Sequence, residues 1–318
     1  MKHFIYLLVL LLNIQITNAQ KNSQKTLKNS ENFIVLGDFG RFGEYNQKEV
    51  ANQMAKTAIE IDLDFVVSVG DNFYPYGVQS TQDPHFEKSF ENVYHHFDLQ
   101  CDWYLGLGNH DYSGNIQAQI DYSNVSRRWH MPSQYFEQII ELKGGKKLQL
   151  IFIDTNPFIK SYYENNDEKG QNVKKQDTIT QKKWLIETLN KKDEAITWKI
   201  VIGHHPMYSG GKRLKSQDTK DIENLLTPIF NEYKVDAYLC GHEHDLQIIK
   251  SKNCYTTQFL SGAGSEVRPT GNREGTIYAI SLPGFMTFSV NTEKILVHLI
   301  NESGTVLYTH EINKKNNE

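Results

Sequence analysis

Five short segments of this chain carry residues able to bind metal ions. They read Gly37-Asp38, Gly70-Asp71-Asn72-Phe73-Tyr74, Gly108-Asn109-His110-Asp111, Gly203-His204-His205-Pro206 and Gly241-His242-Glu243-His244. Singly each is weak, because a Gly-Asp after an apolar run is more often a turn than a metal site. Together, Asp38, Asp71, Asn109, His204, His242 and His244 offer oxygen and imidazole donors without thiolate, a set suited to two first-row metals. Asp71 can bridge through its two carboxylate oxygens. His242 and His244 lie two apart, so in an extended turn each can face a different ion. Two ions about 3.5–4 Å apart clamp the attacking and leaving oxygens of an in-line phosphoryl displacement and lower the pKa of bound water.

Tyr74 stands three residues beyond Asp71. A phenolate is a hard, anionic ligand that favours a trivalent ion. If Asp38, Tyr74, His244 and a bridging Asp71 share one metal, its three anionic donors suit ferric iron. Asn109, His204, His242 and the bridge would then leave the second ion divalent. From the residues alone, an aromatic ring packed beside the site is an equal reading of Tyr74.

The elements that must position these groups follow one pattern. A short apolar run ends in glycine and a ligand comes at once, as in Phe33-Ile-Val-Leu-Gly-Asp38 and Phe65-Val-Val-Ser-Val-Gly-Asp71. It recurs in Trp103-Tyr-Leu-Gly-Leu-Gly-Asn109, Ile200-Val-Ile-Gly-His204 and Ala237-Tyr-Leu-Cys-Gly-His242. Such runs suit strands buried on both faces, with ligands at their carboxyl ends, where open α/β sheets build sites. Helical spacing over 46–60, 180–189 and 221–233 predicts helices between them. From residue 276 onward, alternation predicts antiparallel strands that close the domain. Two polar stretches, 160–175 and 209–218, read as surface loops, and the second follows a proposed ligand closely enough to gate substrate.

The bulk properties fit an exported enzyme. With 39% hydrophobic and 23% charged residues over 318, the chain has the composition of a globular protein rather than a disordered one. A net charge of −4 without a basic block argues against nucleic-acid binding. Lys2, an apolar run over 4–12 and Thr17-Asn18-Ala19 form a secretory signal peptide over 1–19, too short to span a bilayer. A loose mature N-terminus is expected over 20–31 and one catalytic domain over 32–313. The expected location is therefore secreted or periplasmic, without a stable membrane anchor. Of three cysteines, Cys240 reads as a buried thiol, and Cys101 with Cys254 is a possible bridge.

The order GDFG, GDNFY, GNHD, GHHP and GHEH resembles the purple acid phosphatases, most closely the small, single-domain tartrate-resistant type. The likeness extends to Asn72-Phe-Tyr-Pro-Tyr-Gly-Val78, Arg127-Arg-Trp129 and Ser261-Gly-Ala-Gly264. It implies a four-layer α/β/β/α sandwich of two mixed sheets, the metallophosphoesterase fold. It implies an acid phosphatase hydrolysing small phosphate monoesters by in-line attack of a metal-bound hydroxide; a monomer is expected. The centre it implies has Fe(III) on Asp38, Asp71, Tyr74 and His244, and a divalent ion (Fe, Zn or Mn) on Asp71, Asn109, His204 and His242. His110 matches a histidine that meets phosphate or assists leaving-group protonation, so Asp71 and His110 are the catalytic residues, with Asn109 and His110 contacting substrate. The exposed stretch 160–175 corresponds in position to a loop covering the active site.

There are departures from that pattern. His205 stands where Tyr or Phe is usual, and Arg213 replaces a second substrate-side histidine. Both are taken as substrate-binding candidates; Arg213 can bind phosphate but cannot release a proton near neutral pH. The cysteine pair that staples the covering loop in animal members is missing. The alternative enzyme is a manganese or zinc metallophosphoesterase acting on diesters or nucleotides, with Tyr74 merely packed. A different class is a phosphate- or metal-binding surface protein without turnover.

Overall fold

A computed structural model describes residues 25–314. In chain order the strands are β1 (Glu31–Leu36), β2 (Phe65–Ser68), β3 (Asp102–Leu105), β4 (Trp129–His130), β5 (Phe136–Leu142), β6 (Lys146–Phe152) and β7 (Ile196–Ile202). There follow β8 (Ala237–Cys240), β9 (Leu246–Ile249), β10 (Thr257–Ser261), β11 (Thr276–Ile280), β12 (Gly284–Val290), β13 (Lys294–Asn301) and β14 (Val306–Asn313). They form two seven-stranded sheets, ordered β14-β13-β12-β1-β2-β3-β4 and β11-β9-β10-β8-β7-β6-β5. Both are mixed. β1 to β4 run parallel in the first, β6, β7, β8 and β10 in the second, and antiparallel strands complete each sheet.

Alternation along the strands explains the layers. In β1, Phe33 and Val35 pack with Leu148, Leu150, Ile200 and Leu239 of the other sheet. Its other face, Ile34 and Leu36, joins Val50, Met54 and Ala58 of the helix Gln47–Ile61. In the second sheet Ile151, Val201 and Tyr238 meet Leu185 and Leu189 of helix Thr178–Leu189, and Ile222, Leu226 and Phe230 of helix Gln217–Tyr233. Helices therefore cover both outer faces, which is the α/β/β/α sandwich. Both faces of the central strands are shielded, so their sequences read as continuous apolar runs.

Four expectations need correction. Residues 25–31 are docked rather than loose: the Leu27 amide donates to Ser289 Oγ (2.8 Å), and His298 Nε2 lies 3.0 Å from the Lys25 carbonyl. The stretch 160–175 is not plain loop but a 3-10 turn (Lys160–Glu164) followed by a helix (Glu168–Lys174), whose Asp167 caps the Gly170 amide. Cys101 and Cys254 are free thiols, one before β3 in the first sheet and the other before β10 in the second. The strands after residue 276 do not stay together, for β11 edges the second sheet while β12 to β14 extend the first. The signal-peptide segment lies outside the described residues, and among those described no helix is long and apolar enough to cross a membrane.

Candidate metal centre

The parallel strands of the two sheets deliver their carboxyl ends to one place. Asp38 follows β1, Asp71 follows β2 and Asn109 follows β3, while His204 follows β7 and His242 and His244 follow β8. The turns are forced ones. Asp38, Asp71 and His242 have φ of 57°, 54° and 71°, a left-handed backbone that non-glycine residues adopt at a cost and that clusters at functional sites. The preceding glycines allow close approach. A Cβ on Gly108 would stand 2.2 Å from the Asp71 amide and carboxylate, and one on Gly241 2.4 Å from Asp38 Oδ2.

One half of the site gathers around a phenol. Tyr74, 2% exposed, places its hydroxyl 2.9 Å from Asp38 Oδ1, 2.7 Å from Asp71 Oδ2 and 3.2 Å from His244 Nε2. The other half gathers around Asp71 and two imidazoles. His204 Nε2 is 3.4 Å from Asp71 Oδ2 and 3.1 Å from His242 Nδ1. Asp71, His204 and His242 together form a buried set of metal-capable donors. Asp71 thus faces both halves, as a bridging ligand must.

Hydrogen bonding selects the ligating form of these groups. His204 Nδ1 donates to the Val69 carbonyl (2.9 Å), since a carbonyl only accepts, so Nε2 is the nitrogen turned toward His242 and Asp71. Burial opposes its charge, but Asp71 and Asp38 outweigh it and raise the pKa to about 9, so Nε2 carries a proton that a bound cation would displace. The Asn109 Oδ1 and His242 Nε2 atoms are buried with no hydrogen-bond partner, an arrangement that calls for an ion or another polar group. Burial, followed by nearby positive charge, pushes the pKa of His242 far down and that of His244 to about 2, so both rings are neutral and fit to ligate. Burial would raise both carboxylates. It takes Asp38 to about 7, whereas the positive charge of His204 holds Asp71 well below the usual range. Burial and the two carboxylates push the Tyr74 phenol far up, so it ionises only when a cation is added to the site. The residues present therefore fit a pair of metal ions.

His110 donates its amide to Asp71 Oδ1 (2.8 Å), and its Nδ1 donates to the Pro75 carbonyl (2.7 Å), which leaves Nε2 free for chemistry. His205 is fully buried, its Nδ1 2.8 Å from Thr155 Oγ1 and its Nε2 2.8 Å from the Tyr162 hydroxyl. Both ring nitrogens are engaged by the protein, so the structure corrects the expectation of a direct substrate contact there. Arg213 lies at the site but is tied down: Nη1 bonds the His242 carbonyl (3.1 Å) and faces Glu243 Oε2 (3.4 Å).

Sequence reasoning gave no role to Asp111, although GNHD contains it. Its buried carboxylate accepts from the amides of Gly108 (2.8 Å), Asn72 (3.1 Å) and Phe73 (3.2 Å), locking the third motif to the second. Thr155 and Tyr162 were also missed. Tyr162 comes from the stretch read as loop, and only the fold brings it to His205.

A carboxylate, amide, phenol and imidazole cluster at the strand ends of a two-sheet sandwich defines a dinuclear phosphoesterase, and comparison agrees. Residues 31–246 match the calcineurin-like phosphoesterase family, so the chain belongs to it. Purple acid phosphatase 7 of Arabidopsis thaliana is 34% identical over 98% of this chain and 95% of its own length. Human tartrate-resistant acid phosphatase type 5 is 31% identical over 87% and 89% respectively. Within the wider family the chain is thus a member of the purple acid phosphatases. In fold it resembles GAP50, described as the anchor in the inner membrane complex of Plasmodium, with a TM-score of 0.77 at 24% identity, over 91% of this chain and 90% of that one.

Proposed function

We propose that this chain is an acid phosphatase that hydrolyses small phosphate monoesters at a ferric–divalent centre. Asp38, Asp71, Tyr74 and His244 would hold the ferric ion, and Asp71, Asn109, His204 and His242 a divalent Fe, Zn or Mn. The carrying observation is the single Tyr74 hydroxyl within 3.2 Å of Asp38, Asp71 and His244, while the same Asp71 oxygen faces His204. When bound, such a pair of ions lowers the pKa of water and neutralises charge on the phosphoryl oxygens.

The chain's own groups do the rest. His110, with Nδ1 fixed on Pro75, can hold a proton at Nε2 and pass it to the leaving oxygen, a contribution of typically 10²–10⁴-fold. The Asn109 amide and the Arg213 guanidinium offer contacts to phosphate. His205 acts through its neighbours, its ring 4.4 Å from that of His242 between centroids. All these proposed ligands come from one chain, so the site is complete without a second copy, and we read the protein as a monomer. The leader over 1–19 supports export, checked by N-terminal sequencing of protein recovered outside the cytoplasm.

The test is hydrolysis of an aryl phosphate together with a visible spectrum and metal analysis. Wild type should turn over and be coloured, and Asp71→Asn should lose both metals and activity. Retained activity in Asp71→Asn would overturn the site. A colourless iron-loaded wild type would remove the tyrosinate and favour a manganese or zinc enzyme.

A further inference from the structure

The phenol at the centre is not bare on its outer face. The Arg41 guanidinium lies 3.7 Å from the centroid of the Tyr74 ring, within cation–π range. It is held there from several directions. Its Nη2 pairs with Glu266 Oε2 at 2.8 Å, its Nε donates to Ser265 Oγ (3.2 Å), and its backbone amide donates to Gln47 Oε1 (3.0 Å). Ser265 Oγ in turn donates to the Asp38 carbonyl (2.6 Å), so the anchor of Arg41 is the anchor of a ligand.

Glu266 reaches the other protein ligand of the same half. Its Oε2 is 3.6 Å from His244 Nδ1, the ring nitrogen turned away from Tyr74, which has no hydrogen-bond partner. Arg268 stands 3.7 Å from the same carboxylate oxygen and bonds the His244 carbonyl through its amide (2.8 Å). One charged chain, Arg41–Glu266–Arg268, therefore touches the phenol and the imidazole of a single half. A histidine ligand is commonly oriented and made more basic by a carboxylate on its other nitrogen.

We propose that Arg41 and Glu266 are positioning residues that tune the iron half of the centre, Arg41 through the electron density of the Tyr74 ring and Glu266 through the orientation of His244. This rests on the assignment of Tyr74 and His244 to one ion. The sign for Arg41 follows from electrostatics. Tyrosinate-to-iron charge transfer moves an electron away from the cation over the ring, so the guanidinium raises the energy of that transition. Removing the charge moves the band to longer wavelength, and keeping it preserves the band.

The experiment uses the full chain loaded with iron. Arg41→Met should shift the visible band to longer wavelength, and Arg41→Lys should hold it near the wild-type position. Arg41→Gln keeps a planar head able to bond Ser265 and Glu266; it should show the same shift and serves where the Met variant does not fold. Glu266→Gln should raise the iron dissociation constant about tenfold, at the lower end for an outer ligand partner. A merely structural arginine would lower iron occupancy and leave the band where it is. An unmoved band in a folded Arg41→Met or Arg41→Gln variant would overturn the Arg41 role, and unchanged iron retention in Glu266→Gln would overturn that of Glu266. Tyr74→Phe separates the two levels: if it leaves the colour intact, the ligand assignment fails and this inference with it. If it bleaches the protein while the Arg41 and Glu266 variants match wild type, only the present inference falls.

Discussion

The two halves of the centre share Asp71 but are supported by opposite kinds of surroundings. Around Tyr74 and His244 the outer partners are charged side chains, Arg41 13% exposed and Glu266 34% exposed. Around the His204 and His242 rings they are neutral and buried: the Val69 carbonyl, Thr155, and His205 backed by Tyr162, while the Arg213–Glu243 pair reaches the His242 backbone carbonyl rather than its ring. The contrast matches the ligands themselves. A half with anionic donors tolerates a charged ring beside it, because the charges compensate one another. A half with neutral amide and imidazole donors needs fixed geometry instead, and buried hydrogen bonds supply that at low charge.

The largest effects should come from cutting one half and leaving the other. His204→Ala should lower turnover by more than the roughly 10–100-fold that loss of an outer partner costs. Iron and its visible band should survive, because Tyr74, Asp38 and His244 are untouched. Tyr74→Phe should do the reverse to the spectrum, bleaching it. Metal content and absorbance on the two variants check this, and loss of both metals in His204→Ala would mean that the halves do not separate.

Outer partners come next. Tyr162→Phe leaves His205 Nε2 buried without its partner, which should cost about 1–3 kcal/mol of stability. It should also weaken the divalent ion about tenfold while the colour stays unchanged. Titration with the divalent metal and a denaturant melt read the two effects separately. A smaller effect is expected at Arg213. Its guanidinium is already tied to His242 and Glu243, so Arg213→Ala should raise KM for phosphate esters severalfold and change kcat little. An equal fall in kcat and kcat/KM would instead place Arg213 in the transition state.

Much of the candidate site was legible because its proposed ligands obey one local rule. Each of Asp38, Asp71, Asn109, His204 and His242 follows a glycine at the end of an apolar run; a Cβ on any of those glycines would come within 3.0 Å of a neighbouring atom, and at Asp38, Asp71 and His242 the backbone itself is left-handed. Tyr74 is near enough to Asp71 in sequence to be found with it. What escaped is what the rule does not cover. Arg41, Glu266, Thr155 and Tyr162 act across loops separated in the chain, as Glu266 of the loop after β10 does on Arg41 of the loop after β1. Packing of one sheet against the other brings Glu266 to Arg41, whereas strand pairing within a sheet brings Arg41 to Tyr74 and Thr155 to His205. The segment 160–175 was misread because polar composition marks exposure, whereas its turns are held by local caps such as Asp167 and by Asn172 bonding the carbonyls of Tyr112 and Gly114 at 3.0 Å.

Asp154 sharpens that rule from the other side. It too is a buried carboxylate just past a central strand, β6, but Ile153 precedes it where the ligands have glycine. It is spent on structure: the Tyr112 hydroxyl donates to one oxygen, and Asn156 donates its amide (3.0 Å) and Nδ2 (2.9 Å) to the other. Burial nevertheless pushes its pKa up to about 6, the hydrogen bonds only partly opposing it. The folded chain therefore holds this proton more tightly than the unfolded chain, whose carboxyl titrates near 3.9. The protonated carboxyl's contribution to stability is full below about pH 4 and is lost as pH rises through about 6, about 3 kcal/mol in all. Asp154→Asn has no such proton to lose. At equal metal loading its Tm relative to wild type should climb between pH 4 and 7 and then level off. Parallel curves across that range would show that Asp154 is ionised in the folded protein throughout, and would make it a charge that the neighbouring metal half has to accommodate.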